Sequence, residues 1–426
     1  MRTTTIIGSI MALAVSAHIE ATDQYLTADA MVDIKTGKIV SSPALIISNG
    51  KIVRIGTQKN LPKPQGMDEV DLTGHTIMPG LMDMHVHLTG DATTPFFVEM
   101  GYSLPRQTVV AVKNAKTTLM AGYTTVRNVG APGYSVIGVR DGINDGDIVG
   151  PRIYAAGPSL GITGGHCDNN FLAPELKVKS EGVADGVAAV RAKVRENIKY
   201  GANAIKLCAT GGVFSKGTKV GIQQYTVDEI KAAVDEAHRR GLTVAAHAHG
   251  TEGIKAAIIG GVDSVEHASF LDAEAIELAK EYGTYLSMDI YNTEYTLTFG
   301  EKNGVPEENL NKERQVSKRQ RDSFSRAVKA GAKMVFGSDA AIYPHGDNAK
   351  QLSRMVRYGM TPLQALQAAT INSATLLGRE GDLGLLEEGY MADIIAVRGN
   401  PLDDVSILEN VAFVMKEGET YKTPEQ

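Results

Sequence analysis

The sequence predicts an α/β fold: a (β/α)8 TIM barrel carrying a small β-sandwich domain built from both ends of the chain. Three observations predict it. Through the middle of the chain a helix-like stretch ends in glycine and runs at once into a short apolar strand, again and again. Short strand-and-turn units flank that region on both sides. Histidines, a lysine and an aspartate stand where the strands end, the face on which such barrels keep their chemistry.

Each element follows from local signals. Residues 22–78 read as strands and turns, with Ala44-Leu45-Ile46-Ile47-Ser48 leading into Asn49-Gly50 and Lys51-Ile52-Val53-Arg54-Ile55 returning, a hairpin signature. Residues 380–426 hold a matching piece, with the strand Ala392-Asp393-Ile394-Ile395-Ala396-Val397 and another at 411–415. Paired, the two fragments form one sandwich. Between them, residues 79–379 carry the barrel. Glycines 122, 201, 241, 261, 283 and 331 each close a helix and precede a strand, as glycine does where a helix C-terminus needs positive φ. The helix before Gly241 has Thr226 as cap, Glu229 to complete a capping box, and an apolar stripe of Ile230, Val234 and Ala237. Strands at 78–85 and 152–156 bring the count to eight. The polar stretch 291–313 reads as a long loop over the barrel mouth, a lid or specificity element.

At 426 residues the chain suits one large barrel and a small companion domain. With a net charge of −6 and no massed basic residues, no nucleic-acid partner is expected. Beyond the N-terminus no segment is long and apolar enough to span a bilayer, so no stable membrane association is expected. The first residues differ. Arg2, an apolar run over residues 6–15 and the small residues Ser16 and Ala17 have the layout of a signal peptide. Residues 1–21 are therefore expected to direct export to the periplasm or the medium, with cleavage after Ala17 or Ala21. Two cysteines, Cys167 and Cys208, form either one bridge or two buried thiols.

The strand ends carry the chemistry. His85 and His87 close strand one, and side chains two apart on a strand share a face. Strand four carries Lys206, strand five ends at His247 and His249, strand six at His267, and strand eight at Asp339. Any one of them has an ordinary structural reading. Their convergence on one mouth does not.

This arrangement resembles the amidohydrolase superfamily. The wording of Pro79-Gly80-Leu81-Met82-Asp83, of Thr210-Gly211-Gly212 after Lys206, of His247-Ala248-His249-Gly250 and of Ser264-Val265-Glu266-His267 is similar to its imidazolonepropionase-like and metallo-dipeptidase branch. That branch includes Xaa-Pro dipeptidases, dipeptidases releasing Arg or Lys, and ochratoxin-type amidohydrolases. The resemblance implies two divalent ions, His85, His87 and Asp339 on one, His247 and His267 on the other, and an N6-carboxylated Lys206 bridging both. A bare ammonium only donates and cannot ligate. Nitrogen and carboxylate donors suit Zn²⁺, with Mn²⁺ and Co²⁺ also compatible. A hydroxide bridging the ions would attack the amide, with Asp339 as general base and acid.

Candidate catalytic and substrate residues follow. His166, in the loop after strand three, would contact the scissile group or the substrate. His249 would line the pocket and polarise the carbonyl. Tyr225 matches a tyrosine that binds the substrate carboxylate in related dipeptidases. His345 would gate the site or close a turn, whereas His75 and His238 are read as structural. Two residues depart from the pattern of relatives: Asn128, expected to alter a salt bridge with Arg127, and Ser338.

The function expected is hydrolysis of the amide bond to a C-terminal amino acid, in a dipeptide or an N-acyl amino acid. Ochratoxin-type cleavage of N-acyl-phenylalanine and hydrolysis of cyclic amides are alternatives. A deaminase is disfavoured by Lys206, and a non-catalytic binding protein by the intact donor set. A homo-oligomer is expected.

Overall fold

In the computed structural model residues 23–424 are described, so the segment expected to direct export lies outside the described residues. The N-terminal strands are β1 (Gln24–Asp33), β2 (Lys38–Ser41), β3 (Pro43–Ser48), β4 (Lys51–Thr57) and β5 (Asp68–Pro79). Asn49 and Gly50 both have positive φ, 50° and 74°, as a two-residue hairpin between β3 and β4 requires. The barrel strands are β6 (Leu81–Val86), β7 (Tyr123–Asn128), β8 (Arg152–Ala155), β9 (Ile205–Cys208), β10 (Val244–Ala248), β11 (Ser264–His267), β12 (Tyr285–Ser287) and β13 (Met334–Val335). The C-terminal strands are β14 (Ile394–Val397), β15 (Phe413–Lys416) and β16 (Glu419–Lys422).

All barrel pairings are parallel, β6-β7-β8 on one side and β9-β10-β11-β12-β13 on the other. Two seams join these sheets. At one, Leu160 N–H donates to the Lys206 carbonyl and Cys208 N–H to Leu160, both at 2.8 Å. At the other, Met84 N–H reaches Phe336 O at 2.9 Å and Asp339 N–H reaches His85 O at 2.8 Å. Site-bearing residues thus close the barrel themselves. Every residue of β6, β7, β9, β10 and β11 is buried, as expected for parallel strands covered on both faces. The six glycines that end helices all have positive φ, and the Thr226–Glu229 capping box is formed.

The terminal strands make one sheet in the order β16-β15-β14-β5-β1-β3-β4, with β2 on β1. Antiparallel pairing of β14 with β5 joins the two ends of the chain. The sheet curls until β4 meets the segment before β14, where Ile52 N–H donates to Tyr390 O and Ala392 N–H to Gly50 O, both at 2.9 Å. Leu26, Leu45, Ile52, Ile77, Ile394 and Phe413 form its separate core. Among the described residues no helix is long and apolar enough to cross a membrane.

Two expectations are corrected. The first barrel strand starts at Leu81 and not at Met78, because Met78 and Pro79 pair with Ile395 and Ile394 in the terminal sheet. The stretch 291–313 is not a loop. It holds the helix Asn292–Phe299 and the start of the helix Glu307–Lys329. Much of the longer helix's buried face is polar, including Asn309, Lys312, Glu313, Ser317 and Gln320. An apolar stripe, the usual mark of a buried helix face, is therefore weak.

Candidate active site

A cavity of about 250 Å3 opens at the C-terminal ends of the barrel strands and is lined by His85, His87, His166, Lys206, His247, His249, His267 and Asp339. The donor atoms of His85, His267 and Asp339 all lie within 4.8 Å of one another, and so do those of His247, His249 and His267. The first set offers two imidazoles and a carboxylate and the second three imidazoles, donors that divalent transition metals accept. His247 Nε2 is buried without a hydrogen-bond partner. An orphaned imidazole nitrogen in such a cluster fits a metal ligand better than a structural histidine. The second set differs from expectation in containing His249 beside His247 and His267.

Neighbours hold the rings so that one nitrogen of each faces the cavity. His85 Nδ1 lies 3.0 Å from Glu266 Oε2, leaving Nε2 at 3.3 Å from Asp339 Oδ1. His87 Nδ1 donates to the Gly130 carbonyl at 3.0 Å, and its Nε2 stands 3.5 Å from the same Asp339 oxygen. His267 Nδ1 donates to Asp289 Oδ1 at 2.8 Å. His249 Nδ1 is bonded to Ser269 Oγ at 2.7 Å. Carboxylates and carbonyls behind metal-binding histidines act this way, fixing tautomer and orientation. Asn292 bridges the outer oxygens of Asp289 and Asp339, 2.7 Å from each.

At His247 and His249 the electrostatics agree with ligation. Burial holds the His247 and His249 imidazoles well below their usual range, where nearby His166 and His267 also press them. Neutral imidazoles are what a metal needs. Burial and Lys206 push the His85 ring down, but Asp339 and Glu266 outweigh them and raise it to about 9. Burial would raise the Asp339 carboxyl, yet His85, His267 and His87 hold it below the ordinary carboxylate range. Burial lowers the Lys206 ammonium to about 8, against the pull of Glu266 and Asp339. The neutral amine is thus a larger fraction near physiological pH than in an ordinary lysine.

Backbone shape at the site is unusual. His267 and Asp339 have φ of 68° and 58°, left-handed values that cost non-glycine residues energy and gather at functional sites. Gly212 is needed for close approach, because a Cβ there would lie 2.5 Å from the His166 ring and 2.7 Å from His247 Nε2. That glycine lets His166 stack on His247, with ring centroids 4.1 Å apart. His166 Nδ1 is bonded to Ser215 Oγ at 3.0 Å. Cys167 and Cys208 form a disulfide that ties the loop carrying His166 to the strand carrying Lys206.

Two expected substrate residues are not at the cavity. Tyr225 is buried and donates its hydroxyl to the Ala184 carbonyl at 2.9 Å, so its hydroxyl is held away from the cavity and is not free to bind a substrate carboxylate. His345 lies behind β6, where Nε2 donates to the His87 carbonyl at 3.2 Å and Nδ1 meets Thr118 Oγ1 at 3.1 Å. It supports a ligand strand and neither lines nor gates the cavity. His75 bonds locally to Thr73 O, and His238 pairs with Asp263 at the surface.

Asn128 also differs from expectation. It makes no pair with Arg127, which donates to Glu266, Ser264 and the Met84 carbonyl. Asn128 instead accepts from Leu88 N–H at 2.7 Å and donates to Gly130 O at 3.0 Å. Ser338 N–H donates to Asp83, which also receives His85 N–H and Asn348.

Asp289, Asn292 and Glu313 line the cavity too, and sequence reasoning missed all three. Asp289 stands just past β12 and would have been found by asking what ends strand seven, as was asked of the other strands. Asn292 and Glu313 sit on the two helices read as loop.

The barrel and its paired donor clusters match a family of hydrolases acting on amide bonds. The chain belongs to the amidohydrolase family, whose profile matches residues 76–423. It is 35% identical to ochratoxinase from Aspergillus niger over 425 residues, covering 91% of this chain and 84% of that protein. The crystal structure of that ochratoxinase superposes with a TM-score of 0.83 at 32% identity, over 95% of this chain and 96% of that one. A Xaa-Pro dipeptidase with methionine bound in its active site superposes with a TM-score of 0.88 at 39% identity, over 94% of this chain and all (100%) of the other. A prolidase complexed with N-methylphosphonate-L-proline gives 0.86 at 29% identity, over 94% and 100%.

Proposed function

We propose that the chain is a binuclear metal-dependent amidohydrolase that releases the C-terminal amino acid of dipeptides or N-acyl amino acids. The observation that carries this reading is the pair of donor clusters meeting at His267, with the buried Lys206 lining the same cavity. In it His85, His87 and Asp339 would hold one ion and His247 and His267 the other, and Lys206, as its carbamate, would supply an anionic ligand to both. Its neutral Nζ would attack the carbon of CO2: an N–C bond forms as one C–O π bond breaks onto oxygen, one nitrogen proton leaves to water, and the product is a carbamate with two oxygens able to ligate. The lowered Lys206 pKa supports this step, since only the neutral amine reacts.

When bound, such ions supply Lewis-acid activation of water and of the amide carbonyl. The chain's own groups do the rest. Asp339, kept ionised by the surrounding histidines, takes the proton of the attacking water and returns it to the leaving amine nitrogen. Asn292 holds its second oxygen in place. His166, stacked on His247 at the cavity wall, is placed to touch the substrate.

The dipeptidase and prolidase neighbours support an amino-acid leaving group. The ochratoxinase relationship favours a second reading in which the acyl side is a larger aryl group. An apolar hollow beside the cavity, lined by His87, Phe214, Tyr295 and Ile342, has room for it. Export is part of the proposal, and the Cys167–Cys208 disulfide supports it because such bonds persist in oxidising compartments.

The test is release of free amino acids from a panel of Xaa-Pro, Xaa-Arg, Xaa-Phe and N-acyl-Phe compounds, with Asp339→Asn as control. Release that disappears in the variant is expected. No release from any of them by metal-loaded protein would overturn the reading.

A further inference from the structure

The helix Glu307–Lys329 crosses the cavity mouth and presents Glu313, Val316 and Gln320 to it. Two of these have evident roles. Gln320 donates to Asp289 at 3.1 Å behind His267, and Val316 is apolar wall. Glu313 has no such task. Its side chain is buried, with 2% of its surface exposed, and its Oε1 has no hydrogen-bond partner among the described residues.

A buried carboxylate without a donor is costly, and natural proteins keep one chiefly where a ligand completes it. Glu313 belongs to neither donor cluster that could hold a metal, so it is not a ligand in waiting for the ions. The charged groups that bear on it are Asp289, Asp339 and Arg321. Arg321 makes no hydrogen bond to it: one guanidinium nitrogen donates to Thr293 Oγ1 at 3.2 Å, and its Nε is buried without a partner among the described residues. The nearby lysine of the same helix is also committed elsewhere: Lys312 pairs with Glu308 at 2.9 Å and caps the Ser215 carbonyl. What remains is a buried carboxyl group at the reaction cavity that a cationic donor would complete as the carboxylate.

We propose that Glu313 receives the ammonium group of the substrate, the α-ammonium of a dipeptide's N-terminal residue or the side-chain ammonium of a basic residue. The inference rests on the dipeptide-cleaving reading proposed above and sharpens it. An N-acyl amino acid with a neutral side chain has no ammonium and leaves Glu313 unpaired. Dipeptides are therefore favoured over neutral N-acyl amino acids, although both share the same scissile bond.

The experiment compares wild type with Glu313→Gln on two matched pairs: alanyl-methionine against N-acetyl-alanyl-methionine, and methionyl-lysine against methionyl-norleucine. Metal content and circular dichroism are measured on the same samples. Wild type should prefer the charged member of at least one pair by about tenfold or more. In Glu313→Gln, kcat/KM for the charged member should fall about 10- to 100-fold, the scale of a charge-assisted hydrogen bond, mainly through KM. N-acetyl-alanyl-methionine, which has no ammonium, should change less than about twofold on that scale. A loss shared by alanyl-methionine, methionyl-lysine and methionyl-norleucine but not by N-acetyl-alanyl-methionine assigns the α-ammonium, and one confined to methionyl-lysine assigns the side chain. Cleavage of both pairs with no preference in wild type, or with equal changes across each pair in the variant, overturns the role of Glu313 while leaving the hydrolase intact. The wild-type preference decides the matter even where the variant does not fold. Failure of metal-loaded wild type to cleave any of the four overturns the dipeptide reading and this inference with it.

Discussion

Glu266 stands between Arg127 and His85: its Oε1 accepts from the guanidinium at 2.8 Å and its Oε2 lies 3.0 Å from His85 Nδ1. All three side chains are buried. The carboxylate therefore neutralises a buried cation and sets the ring of an expected metal ligand. Burial opposes its charge, but Arg127 and His85 hold its pKa well below the usual range.

Glu266→Gln keeps the shape and removes the charge. It leaves Arg127 buried without a counter-ion, a change that typically costs about 3–5 kcal/mol. It also loosens His85, and loss of such a supporting carboxylate costs about 10- to 100-fold in metal affinity or activity. Denaturant unfolding and metal titration should show both losses together. Unchanged stability would contradict the pairing.

Asn128→Asp tests the support of His87. The Gly130 carbonyl receives hydrogen bonds from both Asn128 and His87. A carboxylate at position 128 can still accept from Leu88 N–H but cannot donate to Gly130. It would face that carbonyl oxygen and weaken the His87 anchor. Metal affinity should fall by about tenfold, within the range for such supporting residues, with the fold retained. Asn128→Ala, which removes the repulsion, should fall less.

The disulfide links residues 41 apart. A loop of that length is worth about 3–4 kcal/mol of chain entropy. Cys167→Ser with Cys208→Ser should lower stability by about that amount. It should also raise KM more than it lowers kcat, because His166 is adjacent to the bridge and Lys206 lies two residues from its other end. Thermal unfolding with and without reductant checks the first effect, since reductant should leave the double variant unmoved.

Burial, with Asp289 and Asp339, pushes the Glu313 carboxyl up to about 8. Metal-free folded protein thus holds a proton that the unfolded chain releases near pH 4.5. Stability attributable to this group falls as pH rises from about 4.5 to 8, because the folded state binds more protons there. Glu313→Gln has no such proton. Its advantage in Tm over metal-free wild type should grow across that window and vanish below it. A gap independent of pH would contradict the shift.

The barrel was legible because its grammar is local. A glycine that accepts positive φ and an apolar strand after it, as at Gly241 and Gly261, can be read without long-range knowledge. The residues lining the cavity from strand ends, His85 through Asp339, were legible because position on a barrel strand dictates position at the mouth. Tyr225 was misplaced for the opposite reason: it follows β9 by a loop, and nothing local tells whether a loop side chain turns to the cavity or, as here, to the Ala184 carbonyl. Glu313 was missed because a helix that lines a polar cavity buries polar residues and shows no apolar stripe. Glu266 could not be weighed from sequence, since its importance lies in what it touches across the barrel.

The most direct measurement is metal stoichiometry of wild type and Lys206→Ala, each reconstituted with zinc and bicarbonate and assayed for amino-acid release. About two ions per wild-type chain, the count a two-metal site requires, is predicted. Lys206→Ala should hold fewer and lose activity. One ion or none in active wild type, or two ions and full activity in Lys206→Ala, would contradict a binuclear centre built on that lysine.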